Sequence, residues 1–210
     1  MTYLDLVNQV LVRLRDDKIG AFIDDAYVET IKTLVNDAKF FVENAWEWNI
    51  NRQVDKVVAN KNTVSLPNSD RTGYHIYNVR DKNGRRLRII PKGYALDKAK
   101  ASPTEFPWGY YHAGRTQNEQ SLGIFPPPEN NPVLDIEAHY PSPPLVAEGD
   151  VLYIPALPVI LYATSFAVRE RGETGGTSAQ EWTAFAQQAL KDAISRDTTW
   201  NPDEFTWNEV

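Results

Sequence analysis

The chain has 210 residues, enough for one medium domain or for a domain carrying a substantial insertion, and long enough to bury a core without covalent staples. Cysteine is absent, which excludes disulfides, thiolate metal sites and cysteine nucleophiles, while hydrophobic and charged fractions of 42 % and 24 % are ordinary for a globular protein. A net charge of −6 argues against nucleic acid as the main ligand, because affinity for phosphates comes from Lys and Arg.

The opening "MTYLDLVNQVLVRLRDD" has no basic region followed by an apolar run, so no signal peptide is expected. Thr2 with Asp5 three residues later reads as a helix start. Leu4, Val7, Leu11 and Leu14 then form an apolar seam, and the stop is expected in "RDDKIG", with Gly20 past the end. A second helix begins after Asp24 or Asp25, whose side chains suit capping. Its stripe is Ile31, Leu34, Val35, Ala38, Val42 and Ala45, and it runs into "FFVENAWEWN".

From Arg52 to Tyr140 the pattern changes to short alternating runs rich in Val, Ile, Tyr, Pro and Asn. "QVDKVVANKNTVSLP" reads as two strands around Asn60–Asn62. "YHIYNVRDKNGRRLRIIP" reads as a hairpin turning at Asn83–Gly84, and "KGYALDKAKA" as one short helix. "FPWGYYHAG", "SLGIFPP" and "VLDIEAHYP" read as a three-stranded meander between proline-rich turns. Helices return at "IPALPVILYATSFAVRERG", with Pro155 and Pro158 near the first turn and Gly172 as the stop. Ser178 with Glu181 forms a capping box for a last helix striped by Trp182, Phe185, Ala186, Ala189, Ala193 and Ile194.

The expected fold is α+β. Residues 1–50 and 152–196 form a bundle of about four helices, 51–151 an inserted antiparallel β block, and 197–210 an extended C-terminal docking arm. No stretch approaches the eighteen apolar residues of a membrane span.

Catalytic signatures are missing from this pattern. His75, His112 and His139 fall in three separate strands without metal-site spacing, and sheet-face positions explain them. "GETGGTS" lacks the Lys of a phosphate loop and follows a helix instead of a strand, so it reads as a turn. No enzyme, cofactor or metal is expected.

Two features stand apart. The hairpin "RDKNGRRLR" sets Arg80, Lys82, Arg85, Arg86 and Arg88 against the single carboxylate Asp81. Edge charges that block aggregation account for it in part; a surface facing an acidic partner or DNA is the functional reading. The last fourteen residues, "DTTWNPDEFTWNEV", place Trp200, Phe205 and Trp207 among carboxylates with no basic residue. Disordered tails are normally poor in aromatics, so these three read as anchors for a partner.

The order of "LVNQVLVRLRDDKIGAF", a second helix ending "FFVENAWEWNINRQV", strands, "IPALPVILYATSFAVRERGE" and a last helix with a loose tail resembles the head-to-tail adaptors of tailed bacteriophages. The tail tubular protein A (gatekeeper) type is meant. In that family the second helix commonly ends in Trp-x-Phe-Asn, and Trp46–Glu47–Trp48–Asn49 is similar, with Trp48 where Phe is usual. The resemblance implies a ring, dodecameric in the family, under the portal in the virion neck, with DNA passing through without sequence-specific binding. It also implies portal protein as partner of the C-terminal tail, and a tail or nozzle protein on the other side. Before assembly the chain would reside in the host cytoplasm. Two other readings stand beside it: a carbohydrate- or ligand-binding module using "FPWGYYHAG", and another neck or tail-completion protein.

Overall fold

The computed structural model describes residues 1–59, 63–66, 74–98, 107–115, 120–172 and 177–199. The chain divides into two compact units, Met1–Ile50 with the chain from Ser142 onward, and Asn51–Pro141. The class is α+β, as the sequence predicts: four longer helices in the first unit, and strands with one short helix in the second. The segment from Ser142 to Val151, assigned above to the β block, groups with the helical unit.

In the helical unit, α1 (Tyr3–Arg13) starts on the predicted capping box: Asp5 N donates to the Thr2 hydroxyl and Thr2 N to the Asp5 carboxylate. Its buried face is broader than the predicted seam and comprises Tyr3, Leu6, Val7, Val10 and Leu11. The stop comes before Gly20. Arg15 takes φ 64°, with Arg15 N donating to Val12 O and Asp16 N to Leu11 O. That is a Schellman closure on a non-glycine residue. Arg171 helps hold it: its guanidinium pairs with Asp16 and donates to the Tyr27 hydroxyl and the Leu14 carbonyl.

Helix α2 (Ala26–Ala45) is capped by Asp25, whose carboxylate accepts from Tyr27 N and Val28 N. Ile31, Val35, Ala38 and Val42 are buried as predicted, but so are Lys39 and Glu43. These two belong to a polar stripe with Asn36 at 3/4 spacing, which grips the extended strap after Ser142. Asn36 exchanges two bonds of 2.9 Å with the Leu145 backbone. Lys39 Nζ bridges the Glu43 carboxylate at 2.8 Å and the Ser142 carbonyl at 3.0 Å. The other Glu43 oxygen accepts from Ser142 N and Oγ. Leu145, Leu152 and Ile154 of the strap enter the core.

Helix α4 (Ala156–Glu170) is the central element, buried on nearly every side against α1, α2 and the last helix, α5 (Thr177–Thr199). It follows Pro155 and ends before Gly172 at φ +81°, as the sequence predicts. Helix α5 (Thr177–Thr199) is already helical at Thr177, so Ser178 lies inside its first turn and not at an extended N-cap position. Trp182, Ala186, Ala189, Ala193 and Ile194 pack inward, whereas Phe185 is 60 % exposed and meets only the edge of Trp182 among ring contacts described. The helix continues to Thr199, past the bundle's expected end at 196.

The β unit holds two sheets. The first has order β1–β7–β3, with β1 Arg52–Val58, β3 His75–Asp81 and β7 Val133–His139, all antiparallel. The second has order β2–β6–β5–β4, with β2 Thr63–Leu66, β4 Arg88–Ile89, β5 Gly109–Arg115 and β6 Gln120–Phe125. Val64, Leu66, Val79, Leu122, Ile124, Leu134 and Ile136 form their shared core. Helix α3 (Lys92–Asp97) lies where a short helix is predicted.

Two predicted pairings are corrected. The meander breaks after β5–β6: β7 sits between β1 and β3 in the other sheet. Pro126, Pro127, Pro128 and Pro132 make the link to β7 too stiff and donor-poor for a tight hairpin. The hairpin also opens. Gly84 at φ +77° makes the predicted turn, but past Leu87 the chain leaves β3 and β4 pairs in parallel with β5. Leu87 is the pivot, 2 % exposed in the core.

Candidate docking surfaces

The end of α2 and the end of α5 are fastened together. Trp46 Nε1 donates to the Asp197 carboxylate at 2.9 Å, Asn49 N donates to the same oxygen at 3.1 Å, and Asn49 Nδ2 donates to Asp197 O at 2.9 Å. Trp48, between them, is 1 % exposed and donates its indole N–H to Val42 O at 3.0 Å. Each conspicuous residue of "WEWN" therefore has a physical task. Two bind the last helix, and one fills the core while satisfying a carbonyl in the last turn of α2. Asn49 and Asp197, with Ile50, Pro155, Ala193 and Arg196, line a mostly apolar groove of about 370 Å³. Trp200, Phe205 and Trp207, predicted as partner anchors, lie outside the described residues.

The basic turn is built locally. The Asp81 carboxylate is buried and accepts from Asn83 N at 2.8 Å and Arg85 N at 2.9 Å; Gly84 N closes onto Asp81 O. Its one negative charge is thus turned onto the backbone. Arg80, Lys82, Arg85, Arg86 and Arg88 are all exposed. Burial pushes the Tyr110 phenol up, and the neighbouring Arg86 guanidinium acts in the opposite direction. The turn is cationic, and its backbone is tied to Asp81 by Asx-type bonds.

The residues weighed for chemistry scatter. His75 and His139 face each other in register across β3 and β7, and His112 lies in the other sheet. Among the described residues no group of three His, Asp or Glu side chains is placed to hold a metal ion. The aromatics of "FPWGYYHAG" are engaged with each other's neighbourhood: Tyr110 is in the core, and Trp108 meets Phe125 edge-on at 5.5 Å. Tyr111 covers Gly123, where an added Cβ would stand 2.1 Å from its ring. Phe106 lies outside the described residues, as does most of "GETGGTS". Sequence reasoning missed the Lys39–Glu43 network and the Asp197 clamp. The first had a signal, since Asn36, Lys39 and Glu43 follow helical spacing beside an apolar stripe.

The helical unit thus has the ends of α2 and α5 fastened together, and the β unit carries a cationic turn. The chain matches the family model described as SU10 adaptor protein over residues 1–204, and it belongs to that family, one of phage head-to-tail adaptors. A search of the curated proteins finds no match. Membership gives the chain a structural role at the head–tail joint of a virion, among portal and tail components. No described helix is long and apolar enough to cross a membrane.

Proposed function

We propose that copies of this chain form a dodecameric ring beneath the portal, joining the capsid to the tail and surrounding the channel for the genome. The family match carries this reading. Before assembly the chain resides in the host cytoplasm. The arm, 197–210, docks on the portal through Trp200, Phe205 and Trp207 as anchors. Burying one such side chain contributes roughly 1.5–3 kcal/mol before ordering costs, and repetition around a ring multiplies the effect by avidity. A tail or nozzle protein occupies the opposite side.

Co-sedimentation with the portal protein encoded beside this chain tests the reading. The full chain binds, and a chain ending at Thr199 loses binding by at least a hundredfold while keeping its thermal stability within a few degrees. Equal binding by both would leave the adaptor and remove the arm from the joint. No binding by the full chain to a ring-shaped portal would remove the adaptor reading itself.

The basic turn lines the channel and meets DNA phosphates without reading bases. Five cations give a binding slope against salt of roughly −4.5 on logarithmic axes, and changing Arg85 and Arg86 to Glu reduces its magnitude by about 2. Anisotropy of a short labelled duplex on the assembled ring measures both. Identical slopes would assign the turn to a protein partner.

A further inference from the structure

Two exposed faces of this chain carry opposite charge. On the β unit, Tyr94 and Trp108 meet the buried Phe125 edge-on at 5.9 and 5.5 Å, yet are themselves 45 % and 44 % exposed. Trp108 stands inside "FPWGYYHAG", and Ile89 of β4 and Leu96 of α3 are exposed as well. Cations surround this patch: Arg88 N donates to Trp108 O, Lys92 opens α3 and Lys98 follows it, with Asp97 the single carboxylate from Arg88 to Lys98. On the helical unit, α5 presents Glu181, Phe185, Gln188 and Asp192 at i, i+4, i+7 and i+11, all of them exposed. One stripe thus sets an aromatic, 60 % exposed, between two carboxylates. Gln188 Nε2 donates to the Asp192 carboxylate at 2.8 Å and holds that charge on the stripe, while Lys191 lies about 100° around the helix from it.

We propose that these faces meet between copies: the Tyr94–Trp108 patch of one chain covers the Phe185 stripe of the next. Each face has an apolar centre whose burial favours association. Each also has a charged rim of mainly one sign, so neither pairs with itself: two patches would set cations against cations, and two stripes carboxylates against carboxylates. Patch against stripe brings Arg88, Lys92 and Lys98 to Glu181 and Asp192. The same difference runs through the sequence, since Lys and Arg outnumber Asp and Glu within 51–141 and are outnumbered in the rest of the chain. A contact between unlike faces is heterologous, and heterologous contacts repeat head to tail until they close a ring, whereas a contact between like faces stops at a dimer. The proposal rests on the ring reading and names the surfaces that build the ring.

Because the chain has no cysteine, Gly93→Cys and Gln188→Cys each introduce a lone thiol. A Cβ added at Gly93 meets nothing within 4 Å, and Gln188 is exposed. The two full-length variants, one carrying a size tag, are assembled together on the portal ring and treated with a short bismaleimide. A linked pair forms from the mixture and from neither variant alone. Arg88→Glu with Lys92→Glu raises the concentration for half-assembly by about tenfold or more, Glu181→Lys with Asp192→Lys does the same, and the chain carrying all four assembles within about threefold of the unmodified one. Restoration by the fourfold variant separates lost contact from lost folding. A ring that yields no linked pair, or that tolerates either reversal, overturns the proposal and leaves the ring reading in place. Linking of Gly93→Cys to itself overturns it in favour of a contact between like faces. Reversal of the patch that spares the ring but abolishes binding of the tail protein overturns it as well, and gives the patch to that partner. An unmodified chain that binds the portal without forming a ring strikes the ring reading, and the proposal falls with it.

Discussion

Lys39→Met lowers the unfolding free energy by about 3–5 kcal/mol, the usual consequence of stranding one member of a buried ion pair. Lys39 and Glu43 have side chains 1 % and 2 % exposed, so water does not screen their attraction or replace a lost partner. With Lys39 gone, Glu43 keeps the bonds from Ser142 N and Oγ but faces the core as an unbalanced anion. The Ser142 carbonyl loses its donor as well. The double change Lys39→Met with Glu43→Leu recovers only part of the loss. It removes the stranded charge, yet leaves the Ser142 amide without its acceptor, which costs about 1–3 kcal/mol. Urea unfolding of the three proteins checks the order: unmodified, double, single. A single variant more stable than the double would show that the Glu43 bonds to Ser142 outweigh the cost of the unbalanced charge.

Trp48→Ala costs about 3–5 kcal/mol, as truncation of a large buried aromatic does. Trp48 is among the largest fully buried side chains, and its loss opens a void beside α2 while freeing the Val42 carbonyl from its donor. Trp48→Phe retains an aromatic ring but not the N–H. A loss of about 1–2 kcal/mol is expected, from the unpaired carbonyl and a smaller void. The two variants also separate packing from arm position. Both leave Asn49 and Asp197 in place, so portal binding measured below the melting transition should fall far less than stability does. Binding that falls in step with stability would show that the core and the arm's root are one cooperative unit.

The motif "WEWN" shows how far a local pattern reaches. As sequence it marks the end of a helix and a family likeness. In the structure Trp46 and Asn49 meet Asp197, 151 and 148 positions away, and this contact ties the end of α2 to the end of α5. Nothing local to Asp197 signals that contact, and the sequence reading placed it in the arm. The anchors Trp200, Phe205 and Trp207 are legible only as composition, because an aromatic's partner is not written beside it.

What the sequence alone determines is what a few neighbouring residues can enforce. The Thr2–Asp5 box, the Asp25 cap, the Asn83–Gly84 turn and the Gly172 stop each close through bonds across two to four positions, and each forms where the pattern indicates. Tertiary structure decides the rest. It ends α1 at Arg15 in place of Gly20, turns Phe185 outward, and buries Lys39 with Glu43 because the returning strap offers Ser142 as partner. It sends β4 to β5 and sets β7 between β1 and β3, since a strand's partner is chosen by which pairing buries both apolar faces, and many distant strands satisfy the same alternation. Local hydrogen bonds carry their partner's address within the chain; burial does not.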